Sequence, residues 1–268
     1  MVLTFTIDFL RVLTYSIIFF GFIWWVAKEF DNWSIVDAFW AYFFGAMCMQ
    51  HLVTHPFELN NSTNILLVLV LVWSVRLGTH LALRIFKDLR HEDGRYIKMR
   101  QEWAKDLNWK MLQFYMLQAL AFSILCTPII SSILHEDKSL HWIHWVGIVV
   151  TVLALVGEAV ADRQLKNFKA ASAKGAVCDT GLWAWTRHPN YFFEWLIWVG
   201  FALLSYNNSF YAIPGILCAG FMYYLLTRVS GVSMTEKQLT TSKGESYKIY
   251  QSAVPAFWPK KPKRKIKA

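Results

Sequence analysis

Runs of about twenty residues with few charges, the length that spans a bilayer, recur along this chain. Hydrocarbon offers no partner to a backbone N–H or C=O, so such a run crosses a membrane only as a helix that satisfies its own backbone, or within a closed barrel. Seven runs can be drawn, at about Phe9 to Ala27, Ser34 to Val53, Thr63 to Phe86, Lys110 to Ser131, Trp142 to Ala161, Tyr191 to Tyr206 and Ser209 to Thr227. Composition agrees: 56% of residues are hydrophobic and 17% charged, with a mean hydropathy of +0.32, which excludes an ordinary soluble enzyme. Fourteen Trp, eleven Tyr and twenty Phe suit side chains that sit at the bilayer interface. The first run lacks the small-residue cleavage site of a signal peptide and leads straight into another span, so it reads as a helix. The expected fold class is therefore an all-α integral membrane protein, a seven-transmembrane helix bundle.

Seven spans put the two ends of the chain on opposite sides, and the basic residues choose between them. Lys87, Arg90, Arg95, Lys98, Arg100 and Lys105 follow the third run; Arg163, Lys166, Lys169, Lys174 and Arg187 follow the fifth. The tail adds Lys260, Lys261, Lys263, Arg264, Lys265 and Lys267, whereas the opposite loops carry little beyond Lys138. All three basic segments fall on one side, which predicts a cytoplasmic C-terminus and an N-terminus outside. The net charge of +9 thus reports topology, and membrane lipids rather than nucleic acid are the expected partners. Cys48, Cys126, Cys178 and Cys218 have no C-x-x-C or metal-type spacing and imply no disulfide framework. No internal repeat or polar linker interrupts the chain, so residues 1–268 read as one transmembrane domain.

Charged residues within the runs carry the functional signal, because each costs about 2.5 to 3.5 kcal/mol at a bilayer centre on insertion scales. Asp37, Arg76, Arg84, Glu158, Asp162, Glu194 and Arg228 lie in or at the ends of the spans. Interhelical ion pairs and snorkelling are the plain explanation; a polar cavity opening to the cytoplasm is the sharper one. Glu158 and Asp162, four apart, share a helix face. The densest cluster, DTGLWAWTRHPNYFFE from Asp179 to Glu194, leads into the sixth run, where Pro189 suits a first helical turn and Asn190 and Glu194 share a face.

Here the chain resembles a known family. GLWAWTRHPNYFFEWLIWVG, preceded by GEAVADRQLKNFKA, is similar to the C-terminal signature of the membrane steroid 5-alpha-reductase and sterol-reductase superfamily. TRVSGVSMTEKQL, GESYKIYQSAVPAFWP and the early segments SIVDAFW, WSVRLGTHLALR and HEDGRYIKMRQEW extend the likeness over nearly the whole chain, in detail to the bacterial branch whose substrates are largely unassigned. The resemblance implies a seven-helix reductase of the bacterial inner membrane that uses NADPH, with its cofactor site facing the cytoplasm. Such an enzyme delivers a hydride to an activated C=C bond of a steroid-like, isoprenoid or other lipid. It implies a substrate-side half of about 1–109 and a cofactor-side half of about 110–268. By motif position the cofactor contacts would be Arg76, Arg95, Tyr96, Asp162, Asn190, Glu194, Arg228 and Tyr247. There is no G-x-G in the sequence, so the usual dinucleotide fingerprint is absent, and side chains would have to hold the phosphates. On the substrate side, the family's Gln-Glu pair and Tyr align with Val36, Asp37 and Trp73. Asp37 becomes the candidate catalytic acid, with Tyr42 and His80 beside it, since an enone reductase needs help for enolate charge and a proton. Asp37 at a helix end is the competing reading.

Three other functions fit parts of the pattern. Isoprenylcysteine and phospholipid methyltransferases, which use S-adenosylmethionine, also place R-H-P-x-Y before a short apolar span; their tail has a Glu-Glu pair where this chain reads Thr235, Glu236, Lys237. A histidine-metal oxygenase or desaturase is the second, since His51 with His55 and His141 with His144 have spacings that can put two metal ligands on one helix face; but in the seven-span topology both pairs lie at the outer ends, no H-x-x-H-H box occurs, and no metal site is expected. A non-catalytic lipid-binding protein on an inherited fold is the third.

Overall fold

The computed structural model describes the chain except residues 1, 56, 59, 60, 88, 91, 174, 208–211 and 262–268. Lys174, Lys263, Arg264, Lys265, Lys267 and the Ser209 start of the seventh expected run therefore lie outside the described residues. Among those described, the regular elements are all helical: α1 (Val2–Glu29), α2 (Ile35–Thr54), α3 (Ser62–Phe86), α4 (Gly94–Glu102), α5 (Leu107–Leu125), α6 (Thr127–Leu134), α7 (Trp142–Ala171), α8 (Pro189–Leu204), α9 (Ala212–Tyr224), α10 (Val232–Lys243) and α11 (Glu245–Ala253). A 3₁₀ turn covers Gly181–Ala184, and α9 widens into a π-helical turn at Leu225–Val229. Five helical segments are long and apolar enough to cross a membrane: Leu3–Glu29, Ser62–Phe86, Leu107–Leu134, Trp142–Ala171 and Ala212–Lys243. Their outward faces carry large apolar side chains such as Leu10, Ile18, Leu83, Leu117, Leu153 and Leu217, as a multi-pass membrane protein requires.

The chain packs as two compact units. Unit 1 comprises residues 1–145 and 201–218; unit 2 comprises residues 146–200 and 219–268. In unit 1, α2 and α3 run antiparallel at close approach: a Cβ on Gly45 would stand 2.4 Å from Ser74 Oγ, and one on Gly78 would stand 2.7 Å from the Tyr42 ring. Ser74 Oγ donates to Ala41 O and accepts from Gly45 N, so the small residues admit a hydrogen bond between helices in a segment without water. α1 packs along α5, where Phe20 meets Phe122 edge-on and Ser123 Oγ bonds Ser16 Oγ.

The run expected from Lys110 to Ser131 is interrupted. Pro128, at the start of α6, has no N–H and its ring obstructs the carbonyl of Ile124. That carbonyl is recovered by Thr127 Oγ1 at 2.7 Å and Cys218 Sγ at 3.1 Å, which lets the break sit inside a buried segment.

In unit 2, α7 and α8 are antiparallel. A Cβ on Gly157 would fall 2.4 Å from Phe193, and one on Gly200 would fall 2.1 Å from Thr151 Oγ1. α8 begins at Pro189, the residue expected to open it. Gly181, at φ +59°, turns the chain so that Leu182 N reaches Gln164 Oε1 at 2.9 Å and Trp183 Nε1 reaches Ala161 O at 3.0 Å. These two bonds lay the segment before α8 along α7.

Candidate functional site

In unit 1 the polar centre forms where α2 begins. Asp93 caps α4 by accepting from Arg95 N at 3.0 Å, a local bond that an Asp at this position readily makes. The α4 helix then presents two side chains to α2: Arg95 Nη2 donates to Asp37 Oδ2 at 2.5 Å, and Tyr96 OH donates to Asp37 Oδ1 at 2.7 Å. Arg95 Nε also binds Asp93 Oδ1 at 3.0 Å, while Arg84 Nη2 lies 3.1 Å from Asp93 Oδ2 and 3.9 Å from Asp37 Oδ2. Two arginines and two aspartates thus form a network with no net charge.

The network has a consistent proton inventory. Burial pushes the Asp93 carboxyl up, but Arg95 and Arg84 outweigh it and hold it below the usual carboxylate range. Asp37 first, then Tyr96 and Asp93, raise Arg95 above its ordinary value against the opposing effect of burial. Burial first and Asp37 next push the Tyr96 phenol well up, so Tyr96 keeps its proton. In the Asp37–Tyr96 pair the carboxylate accepts and the phenol donates. Next to it, Glu92 accepts from Trp33 N at 2.7 Å and from Arg100 Nε at 3.1 Å, and Tyr115 OH donates to Trp33 O at 2.7 Å. The start of α2 is therefore clamped from α4 and α5.

Of the sequence-predicted residues in this unit, Asp37, Arg95 and Tyr96 come together. Tyr42 bonds Thr79 Oγ1 at 2.9 Å and packs on Gly78. Arg76 is half-buried and His80 exposed, both on α3.

In unit 2, Glu158 and Asp162 lie on α7 and Asn190 and Glu194 on α8. Glu158 and Glu194 are buried, at 4% and 7% exposure, and each is next in sequence to a residue of the Gly157–Phe193 contact. Glu194 Oε1 accepts from Trp198 Nε1 at 2.9 Å. Asn190 Oδ1 is enclosed without a hydrogen-bond partner among the described residues, a costly state for a polar atom. Asp162 is half-buried, and Arg228 is exposed on the π-helical turn.

Among the described residues, one heavily shared carboxylate is a residue the sequence did not single out as a site. Glu236 on α10 accepts from Arg187 Nε and Nη2, both at 2.9 Å, from Tyr247 OH at 2.8 Å and from Gln251 Nε2 at 2.5 Å, and its Oε1 lies 2.7 Å from His188 Nε2. Arg187 Nη1 also donates to Gln251 O at 3.0 Å and to Val254 O, and Thr186 Oγ1 donates to Ala256 O and Phe257 O. The R-H of the R-H-P segment is consequently a structural knot that fastens α10, α11 and the following segment to the start of α8. Burial first, and Glu236 second, push the Tyr247 phenol up. A signal for this knot was available: Tyr247 and Gln251 are four apart on α11, one turn of the same face, and both need an acceptor when buried.

The histidine pairs remain pairs. His51 and His55 stack at 4.1 Å, and His144 Nε2 bonds Tyr206 O at 2.8 Å. Among the described residues no three His, Cys, Asp or Glu side chains gather as a metal site would require.

Comparison with known proteins bears on the whole chain. A family model described as a protein of unknown function, DUF1295, matches residues 23–254. An uncharacterized protein of Schizosaccharomyces pombe is 25% identical over 280 residues, covering 95% of this chain and 80% of that protein. No solved structure matches.

Proposed function

This chain belongs to the DUF1295 family, proteins of unknown function, and from that premise and the geometry above we propose that it is a seven-span membrane reductase that uses NADPH. The N-terminus lies outside and the C-terminus in the cytoplasm, with α2 and α8 supplying the sixth and seventh crossings beside the five long apolar helices. The substrate is a lipid with an activated C=C bond. The likeness of the α7 and α8 motifs to the membrane steroid and sterol reductases supports this reading, and one observation carries it: Glu158 and Glu194, buried within apolar stretches of α7 and α8, accompany an enclosed Asn190 Oδ1 that has no donor among the described residues. Polar groups are retained in lipid where they serve a function.

The residues present fit a nicotinamide dinucleotide. Asn190 Oδ1 can accept from a carboxamide NH₂, Glu194 and Asp162 can accept from ribose hydroxyls, and the exposed Arg228 can bind phosphate. When bound, NADPH supplies the hydride. Tyr247, which the resemblance groups with these residues, serves as a positioning residue through Glu236.

On the substrate side Tyr96 is the proton-bearing group, and Asp37 orients its phenol. The phenol's one hydrogen is held by Asp37, so Tyr96 acts as the donor when a substrate oxygen or carbon that develops negative charge takes over that hydrogen. Arg95 keeps the carboxylate in place and stays out of the cofactor shell in this scheme.

A second reading has one observation in its favour. In the S-adenosylmethionine methyltransferases that share R-H-P-x-Y, the tail carries paired glutamates, and here Glu236, at that place, contacts Arg187 and His188. Lipid extraction and mass spectrometry of cells with and without the gene separate the two. The reductase predicts paired species that differ by two hydrogens; pairs that differ by one methylene assign the methyltransferase.

A further inference from the structure

Unit 2 holds a recess of about 260 Å³ formed by Arg187, the end of α11 and the residues that follow it. The segment after α11 is fastened in place: Arg187 N donates to Pro255 O and Lys260 N donates to Trp185 O, both at 2.9 Å. Between these two bonds Phe257 is buried, and Trp258 meets Trp195 of α8 edge-on at 5.1 Å and lies 6.0 Å from Tyr223 of α9. The chain thus returns to the apolar helices at Trp258 before Lys260 and Lys261 leave them.

Charge in the recess is not balanced. Arg187 contributes nothing to the surplus, because Glu236 takes its Nε and Nη2 while Gln251 O and Val254 O take Nη1. The same bonds occupy carbonyls that the end of α11 would otherwise present to a cation. Lys260 and Lys261 line the recess, both are exposed, and neither forms an ion pair with the described residues. No Asp or Glu lines it, and none occurs from Ser246 to Ala268, where Lys263, Arg264, Lys265 and Lys267 follow in the sequence. The residue bonded to Lys260 N and the residue two before it are both exposed indoles, Trp185 at 46% and Trp258 at 52%. Such rings settle at headgroup depth in a bilayer.

We propose that this recess docks the headgroup phosphate of an anionic glycerophospholipid from the adjoining leaflet, with Lys260 and Lys261 on the phosphate and Trp185 and Trp258 among the headgroups. Size, charge and depth each narrow the occupant. At about 30 Å³ per water-sized group the recess admits roughly nine, a phosphate with the atoms that flank it, and excludes a whole dinucleotide. Two ammonium groups with no acid beside them favour a ligand of net negative charge over a zwitterion, whose own cation they repel. The source is the leaflet and not free phosphate, because the lysines leave from a segment packed on apolar helices and flanked by exposed indoles. Basic residues held at such a boundary attract anionic lipid by about fivefold per lysine.

The test uses the full chain in a mild detergent, stripped of lipid and titrated with phosphatidylglycerol or phosphatidylcholine of the same acyl chains, with bound lipid read by native mass spectrometry. Phosphatidylglycerol is expected to bind more tightly and to resist displacement by a large excess of inorganic phosphate. Lys260→Gln and Lys261→Gln each lower its affinity about fivefold, and together they remove the preference. Lys248→Gln, which changes an exposed lysine of α11 already paired with Glu245, leaves the preference intact. Equal affinity for the two lipids, an unchanged preference in the double variant, an equal loss in Lys248→Gln, or displacement by inorganic phosphate overturns the site. This titration contains no cofactor, so its outcome is independent of the reductase reading. NADPH affinity is expected to be the same in the double variant as in the wild type; a loss of NADPH affinity with lipid binding unchanged assigns the recess to a cofactor phosphate and overturns the lipid site.

Discussion

Replacing Glu236 by Gln tests the knot that holds the C-terminal helices of unit 2. The substitution keeps the shape and removes the charge from an acceptor shared by Arg187, His188, Tyr247 and Gln251. Side-chain exposure is 14% for Glu236 and 11% for Arg187, so water restores little of what is lost. The new amide NH₂ faces donors on Arg187 and Gln251, which leaves N–H groups unsatisfied and a guanidinium without its counter-charge. Breaking a buried pair from one side costs about 3 to 5 kcal/mol, equivalent to a fall in melting temperature of about 10 °C for a chain of this size. Fluorescence-detected melting in detergent reads this directly. Glu245→Gln is the control: its pair with Lys248 is 76% and 60% exposed, and exposed pairs contribute little, so its melt should stay within about 1 °C of wild type. Adding Arg187→Met to Glu236→Gln should cost less than Arg187→Met alone, because the two residues share their partners. A Glu236→Gln protein that melts within about 2 °C of the wild type would refute the reasoning.

Three further outcomes follow from particular contacts. Asp93 titrates below its ordinary value of 3.8 in the folded chain, so its contribution to stability is present above about pH 4 and is lost as pH falls through the folded value; Tyr247 is raised above 10.0, so its contribution is present below pH 10 and is lost as pH rises through its folded value. Melting curves across pH should show both arms, with Asp93→Asn flattening the acid arm and Tyr247→Phe the alkaline one. Gly200→Ala should destabilise by about 1 to 3 kcal/mol through overpacking on Thr151, whereas Gly220→Ala, where an added Cβ meets nothing within 4 Å, should stabilise by up to about 1 kcal/mol; denaturant or thermal unfolding gives opposite signs for the pair. Tyr96→Phe should lower turnover at least about 10²-fold with NADPH affinity unchanged, and Asp37→Asn should lower turnover less; loss of NADPH binding in either folded variant would move this pair out of the substrate side.

The long apolar runs made the helical class legible, because a 3.6-residue turn and the lack of water in lipid leave few alternatives. Pro189 marked the start of α8 for the same local reason, its fixed φ and missing N–H suiting a first turn. Asp37, Arg95 and Tyr96 were each named from the sequence, but their meeting was not, since the resemblance assigned them to different roles and the contact spans 58 and 59 residues. Glu236 was passed over as a site because its partners lie up to 49 residues away and no periodicity connects α10 to the R-H-P segment. The break at Cys126 was drawn through for a different reason. Pro128 signals it, yet hydropathy averaged over a window is insensitive to one missing N–H, and the bonds that make the break tolerable come from Thr127 and from Cys218, 94 residues from Ile124.

Titration of the purified protein with NADPH, NADH and S-adenosylmethionine, read by quenching of tryptophan fluorescence, tests the central proposal most directly. The reductase reading predicts saturable binding of NADPH, weaker binding of NADH by about tenfold or more because a charge-assisted phosphate contact is lost, no binding of S-adenosylmethionine, and a weakened NADPH curve in Asn190→Ala. Binding of S-adenosylmethionine alone, or of no cofactor by a protein that melts cooperatively, would contradict it.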